Sequence, residues 1–213
     1  QCFGFSDEGT EDAVYDSQAI RRFVGIDLNR EAAPDATTLL KFRHLLEAHH
    51  LTESIFDAIN AHLAERGLFL REDTIVDATL IAAPPSTKNK ERARDTEMHQ
   101  TKKGKQWHFG MKVHIGVNAQ SGLVHTLIGT ATNVHDVTQA QALLHGDETD
   151  VFGDAGYLGV EKREENLALP ITWHIAMRPS KRKASPKTTV DELIEKLEHT
   201  KASIRAKVEY PFH

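Results

Sequence analysis

The sequence predicts an α/β protein, in which a mixed five-stranded sheet with flanking helices follows a small all-helical domain. Residues 6–70 space their apolar side chains three and four positions apart, as amphipathic helices do. From residue 73 onward, short alternating or continuous apolar runs replace that spacing, and such runs are typical of strands. The order is three strands followed by helix, strand, helix, strand and helix. We therefore divide the chain into domains 1–70 and 71–213.

The helical domain contains three clear segments: "DSQAIRRFVGI", "DATTLLKFRHLLEAHH" and "LTESIFDAINAHLAERG". Asp35 with Thr38, and Thr52 with Ser54, are predicted cap regions, because short polar side chains accept hydrogen bonds from free N–H groups at a helix start. Gly67 is expected to close the last helix. The apolar faces of these helices must pack against something.

The first three strands are predicted from "TIVDATLI" (74–81), "WHFGMKVHIGVN" (107–118) and "LVHTLIGTAT" (123–132). A turn at "AQSGLV" joins the second and third strands into a hairpin. The polar, basic stretch between the first two strands lacks periodicity and is predicted to be a loop.

The later elements follow the same logic. Asp136 and Gln139 form a capping-box-like start to a helix that runs to about Leu144. Two further strands are predicted in "DVFGDAGYLG" and "ITWHIAM", with a short helix over 160–167 between them. The stretch "TTVDELIEKLEHTKASIRAKVEY" places its apolar residues on one broad face and predicts a long final helix.

Composition bounds the class of protein. The chain has 213 residues, of which 39% are apolar, enough for a real core. A single cysteine, Cys2, excludes an internal disulfide and a multi-cysteine zinc site. No apolar run approaches the roughly 20 residues of a membrane span, and the acidic N-terminus does not resemble a signal peptide. We expect a cytoplasmic protein with no membrane partner.

The charge is unevenly distributed. A net charge of −5 argues mildly against a nucleic-acid partner, but residues 86–112 and 178–187 are strongly basic, while residues 1–35 are acidic. Each basic block taken alone is as easily a solvated surface as a binding site.

Three acids are candidate active-site residues. Asp77 lies within an apolar strand and needs a basic group, backbone donors or a metal, because a buried carboxylate without a partner costs several kcal/mol. Asp154 ends a later strand between glycines, where open sheets bind ligands. If their strands are neighbours, two carboxylates meet, and Mg²⁺ or Mn²⁺ relieves the repulsion. Glu209 on the last helix is the third candidate.

Each acid alone has an ordinary explanation: a satisfied buried group for Asp77, a turn residue for Asp154 and an exposed helix acid for Glu209. Their combination is more specific. An acid on the first strand, one ending the fourth strand and one on the last helix is the layout of ribonuclease H-like folds. Metal-dependent phosphatases are disfavoured, because their first strand needs D-x-D and "DATL" lacks the second acid.

Four stretches carry a family resemblance: "TIVDATLI", "NVHDVTQAQALL", "DVFGDAGYLG" and "RAKVEYPF". They resemble the successive motifs of bacterial insertion-sequence DDE transposases, specifically the insertion-sequence-five-type group. "DSQAIRRFVGIDLNREAAPDATTLLKFRHLLE" is similar to the N-terminal domain of that group, which would serve DNA binding or assembly. The resemblance implies that Asp77, Asp154 and Glu209 are catalytic and hold two Mg²⁺ or Mn²⁺ ions. It also implies a homo-oligomer on double-stranded DNA, both transposon ends and target, in association with the bacterial nucleoid.

The chain departs from the family pattern at its end. The last motif of the family spaces Tyr, Arg, Glu and Lys along one helix; Arg205 and Glu209 match, but position 202 is Ala and the Lys would lie beyond His213. The chain also begins without Met. We therefore expect a fragment truncated at both ends or a decayed gene product, and the alternative function is a catalytically inactive DNA-binding or assembly remnant.

Basic and polar residues complete the predicted site. Asn133 and His135 precede a helix start and could face the acids, and Trp107 and Trp173 either stack on an extruded base or pack in the core. Contacts to the DNA backbone, without base reading, are predicted for Lys102, Lys103, Lys105, Lys112, Lys181, Arg182, Lys183 and Arg205.

Overall fold

The protein is described by a computed structural model over residues 5–68, 73–83, 93–178, 180–181 and 188–212. The chain separates into two compact units, Gln1–Leu63 and Ala64–His213, and each is described by itself. Within the described ranges, no helix combines the length and the apolar character that crossing a membrane requires.

The N-terminal part contains α1 (Asp7–Asp16), α2 (Gln18–Val24), α3 (Ala36–Ala48) and α4 (Leu51–Glu65). The cap predicted at Asp35 is confirmed, because its carboxylate accepts a hydrogen bond from Thr38 N at 2.6 Å. Gly67 adopts φ +67° just after α4 ends, as predicted. Thr52 and Ser54 instead lie inside the first turn of α4, and Ser54 Oγ donates to His50 O.

The second unit is built on a mixed sheet that confirms the predicted fold class. Its strands run in the order β2-β3-β1-β5-β6, and β4 pairs with β3. β3 is antiparallel to β1, β2 and β4, whereas β1, β5 and β6 are parallel. The strands are β1 (Asp73–Ala82), β2 (His99–Lys103), β3 (Gln106–Asn118), β4 (Val124–Ala131), β5 (Asp150–Gly153) and β6 (Thr172–Ile175).

The sheet has one strand more than the five predicted. Strand β2 lies in the stretch predicted to be a loop, where His99 pairs with Gly110 and Lys103 with Gln106 across a tight turn at Gly104. Four of its five residues are exposed. A strand that buries neither face shows no apolar alternation, so periodicity could not detect it.

Two helices predicted within the second unit are wrong. The segment 136–144 forms two short 3₁₀ turns, Asp136–Thr138 and Gln141–Leu143, and 160–167 likewise forms two. The predicted capping box is not made, because the Asp136 carboxylate accepts from Lys112 Nζ. Without that cap, and with Ala140 and Leu143 drawn into the core, the segment follows the sheet surface in single turns.

The last predicted helix is confirmed as α5 (Thr189–Arg205), which continues as a 3₁₀ helix over Ala206–Phe212. Thr188 and Asp191 close its N-terminus in a capping box. Alternate side chains of β1 enter two apolar clusters, one with Ile75 and Val208, the other with Val76 and Tyr157. Because Val208 is fully buried beside Ile75, the C-terminal segment covers that face of β1.

Candidate active site

The register of two parallel strands brings Asp77 and Asp154 together. Val76 of β1 pairs with Gly153 of β5, and this is the last pair of that ladder. Each aspartate is the next residue of its own chain segment. The two carboxylates therefore leave neighbouring strands at the same carboxyl-terminal edge of the sheet, which meets the condition that the sequence analysis set for a shared site.

Asp77 is half-buried and has little to neutralise it. Its Oδ1 accepts a hydrogen bond from Ala78 N at 2.8 Å. Burial raises its pKa to about 6, and the negative charges of Asp154 and Glu209 add to this rise. The Ala78 donor and the positive charge of Arg205 oppose it without cancelling it.

Asp154 is held by the turn that it begins. Its Oδ1 accepts a hydrogen bond from Gly156 N at 2.7 Å, and its carbonyl accepts from Tyr157 N at 3.1 Å. These bonds cap the 3₁₀ turn Ala155–Tyr157. The acid followed by Ala and Gly is therefore both the end of a strand and the start of a turn, which directs the carboxylate along the sheet edge.

The C-terminal segment brings the third acid near enough to Asp77 for its charge to act on that carboxylate. Val208 anchors the 3₁₀ continuation of α5 beneath Asp77, whose side chain shares a strand face with Ile75. Glu209 is exposed and Arg205 is half-buried, and the charges of both act on Asp77. No described residue accepts a hydrogen bond from the buried Nε of Arg205.

A fourth acid, Asp136, lies beside this group. A Cβ atom added at Gly156 would lie 2.8 Å from Asp154 Oδ1 and 3.2 Å from Asp136 Oδ2, so the two carboxylates flank one glycine. The sequence did not predict that Asp136 lies beside Asp154, because it predicted that Asp136 caps a helix. The motif "NVHDVTQAQALL" contains Asp136 and was the available signal.

Comparison with known families agrees with this geometry. A model described as a transposase DDE domain matches residues 69–213, and one described as a transposase domain matches residues 1–45. The chain belongs to the DDE transposases of insertion sequences. No solved structure gives a significant match to it. Assignment of this transposase to the insertion-sequence-five-type group stays a prediction.

The candidate acids of this transposase have carboxylate oxygens, which are suitable ligands for a hard divalent cation. Carboxylate oxygens are the ligands that Mg²⁺ and Mn²⁺ prefer, and the pKa of Asp77 is raised by burial first and then by the negative charges of Asp154 and Glu209. Across the described part of the chain, however, no group of three or more His, Cys, Asp or Glu side chains is close enough together to hold a metal ion. Asp77 and Asp154 are brought to one edge without forming a complete set of ligands.

Most of the described basic residues that we predicted to contact DNA lie on the surface. Lys102, Lys103 and Lys105 are exposed on the β2–β3 hairpin, and Lys181 is exposed as well. Arg182 and Lys183 lie outside the described residues. Lys112 differs from these exposed lysines, because its side chain is only 13% exposed and its ammonium pairs with Asp136. All of these DNA contacts stay predictions.

The remaining predicted residues fall in two environments. Trp107 is 67% exposed, with Lys102 Nζ 5.9 Å from its ring centroid, so the core-packing alternative is wrong for this tryptophan. Trp173 packs against the apolar cluster of Val76 and Tyr157. Asn133 and His135 are exposed in the turn before Asp136, and their predicted role beside the acids stays a prediction.

Proposed function

We propose that this transposase cleaves DNA at the ends of an insertion sequence and transfers them to target DNA by metal-dependent phosphodiester chemistry. One observation supports the proposal above all. Asp77 and Asp154 leave adjacent parallel strands at one edge, and the pKa of Asp77 is raised by burial first, with the charges of Asp154 and Glu209 adding to the rise. Such a concentration of carboxylates is characteristic of an oxygen-ligand metal site.

Asp77, Asp154 and Glu209 would hold two divalent cations, which in such sites activate the attacking oxygen and stabilise the leaving oxygen. In the first step water attacks a phosphodiester bond at the element end, one P–O bond replaces another, and a 3′-hydroxyl is released. In the second step that hydroxyl attacks a phosphodiester bond of the target DNA. A new P–O bond joins the element end to the target, one P–O bond of the target breaks, and a 3′-hydroxyl of the target is released. No covalent protein intermediate and no nucleotide cofactor is required.

Backbone and side-chain groups of the chain itself orient this chemistry. The Ala78 and Gly156 N–H donors hold one oxygen each of Asp77 and Asp154, which leaves the other oxygens available. The Arg205 guanidinium is next to this group and would offset the charge of a bound phosphate. The exposed lysines of the β2–β3 hairpin would bind the DNA backbone. We propose a homo-oligomer on double-stranded DNA as the working form.

A second candidate function is a remnant that binds DNA or assembles without cutting it. It is favoured by the lack, among the described residues, of a side-chain group assembled to hold a metal. The two candidates differ in one observable, which is strand cleavage that depends on the carboxylates.

The experiment is a nicking assay on supercoiled plasmid carrying the inverted repeat that flanks the gene, with Mg²⁺ or Mn²⁺. We expect nicking by the unaltered chain and a loss of about a hundredfold or more in Asp154→Asn. Asp147→Asn, at an exposed acid away from this edge, is the matched control and should nick normally. DNA binding without nicking would establish the remnant, and nicking that survives Asp154→Asn would exclude these carboxylates.

A further inference from the structure

Lys112 lies where a DNA-contacting lysine is not expected. It lies within β3, where it pairs with Leu80 of β1 on one side and with Thr130 of β4 on the other. Its side chain is 13% exposed, whereas Lys103 on β2 is exposed. An ammonium group placed inside a sheet requires local partners, because desolvation costs several kcal/mol when the charge is unpaired.

The partners of Lys112 come from the loop that leads toward the acids. Its Nζ donates to Val134 O at 2.7 Å and to Asp136 Oδ1 at 2.8 Å. His114, the next residue on the same face, is fully buried, and its Nδ1 is 3.9 Å from the same Asp136 oxygen. The loop is therefore held to β3 at two neighbouring points, one on the backbone and one on a carboxylate.

The other oxygen of Asp136 reaches the turn of Asp154. Asp136 Oδ2 and Asp154 Oδ1 flank Gly156, whose N–H donates to Asp154 Oδ1 at 2.7 Å. Asp136 therefore bonds to Lys112 through one oxygen, and its other oxygen lies beside the glycine turn. If either charge of this ion pair were removed, the tie between β3 and the loop would weaken, and the side chain at position 136 would no longer be held beside the turn.

We propose that Lys112 is a positioning residue, which fixes the Asp154 carboxylate through Asp136 and does not bind DNA. The ion pair places a positive charge beside the fourth acid. The inference rests on the proposed function for its activity readout, but its geometric content can be tested without activity.

The experiment compares Lys112→Met with Lys103→Met, the same substitution at an exposed lysine of the adjacent hairpin strand. Binding of a short fluorescent duplex is titrated over a range of salt, plasmid nicking is measured with Mn²⁺, and amide hydrogen exchange is followed in segments 153–160 and 172–176. Asp136→Asn removes the same ion pair from the other side and replaces Lys112→Met if that variant fails to fold.

We expect Lys112→Met and Asp136→Asn to reduce nicking about tenfold or more, since small displacements of a reacting group are costly. Affinity for DNA and its salt dependence should not change, and exchange should rise in 153–160 but not in 172–176. Lys103→Met should instead weaken binding and lower the salt slope by about one, while exchange in 153–160 stays as in the unaltered chain.

Two results would overturn the inference. A lower salt slope in Lys112→Met with unchanged exchange would make Lys112 a phosphate contact, and normal exchange in both variants of the pair would remove the positioning role. If the unaltered chain does not nick DNA, the proposed cleavage fails, while the exchange data still decide whether Lys112 holds the Asp154 turn.

Discussion

Two acids lie near opposite ends of the short β1–β5 ladder, and they differ in how they are satisfied. The Glu148 side chain is fully buried and accepts hydrogen bonds from His145 N, Gly146 N and Thr74 Oγ1 at 2.6, 2.8 and 3.2 Å. Asp77 accepts only from Ala78 N among the described donors, and its pKa is raised to about 6. A carboxylate with three donors stabilises the fold, whereas one with a single donor retains capacity for a positively charged ligand.

The surroundings of Glu148 support a structural role. His125 Nε2 lies 3.1 Å from Thr74 Oγ1, and its ring meets that of His145 edge to face at 5.1 Å. Burial lowers the pKa of His125 to about 4, and His145 adds to this effect, while Glu148 opposes it. His125 is therefore neutral at pH 7 and contributes hydrogen bonds to a closed network.

The largest expected effect on stability comes from removing the Glu148 carboxylate. Glu148→Ala removes the acceptor of three hydrogen bonds and should lower the free energy of unfolding by about 3 kcal/mol or more. Urea denaturation followed by circular dichroism measures it. Glu164→Ala, at an exposed acid, should change stability by less than about 0.5 kcal/mol. A loss below about 1 kcal/mol in Glu148→Ala would contradict the comparison.

Asp77→Asn should act in the opposite direction. Because the folded pKa of Asp77 is above its unfolded value of 3.8, the folded state binds more protons between pH 4 and 6, and stability falls as the pH rises through that window. Asn cannot ionise, so in metal-free buffer at neutral pH it should be more stable by about 1–2 kcal/mol. Denaturation at several pH values tests this: a stability difference between the two proteins that does not grow with pH would show that Asp77 is not strained.

Tyr157→Phe tests whether a buried polar group without a hydrogen-bond partner also lowers stability when that group is neutral. The Tyr157 ring is fully buried, and its hydroxyl has no hydrogen-bond partner among the described residues. Burial raises its pKa above the usual range, and the nearby Asp136, Asp77 and Asp154 add to this effect. Removing the hydroxyl should leave stability unchanged or raise it by about 1 kcal/mol. Thermal unfolding measures the change, and a clear loss of stability would reveal a hydrogen bond to this hydroxyl.

The smallest expected change in stability comes from Gly156→Ala. The added methyl group would lie 2.8 Å from Asp154 Oδ1, so this carboxylate must move, and as the end of a side chain it moves at little cost. We expect a stability loss below about 1 kcal/mol together with a fall in nicking of about tenfold. Gly129→Ala, where an added Cβ meets nothing within 4 Å, is the matched control for nicking. Normal nicking in Gly156→Ala would mean that the place of the Asp154 carboxylate is not critical.

The order along the chain of five of the six strands, and the position of each aspartate on its strand, followed from the sequence because they depend on local patterns. Alternation located β1, β3 and β4, and the break at "DAGYLG" located the end of β5. Once β1 and β5 pair in parallel, residues that follow the last pair must lie side by side. The family match over residues 69–213 covers all of these strands.

Tertiary structure alone decided which polar residues are paired. In the sequence Lys112 is one of several lysines in a single basic stretch, and nothing there distinguishes it from the others. Only its place between β1 and β4 gives it Asp136 as a partner. The Asp136 carboxylate could cap a helix or accept a hydrogen bond from a lysine. It does the second, because β3, which is distant in sequence, places Lys112 beside it. The sequence does not predict the structural role of Glu148, because its three donors come together only when β1 passes beside the loop before β5. Local pattern specifies elements, whereas the neutralisation of buried charge depends on contacts that only the folded chain brings together.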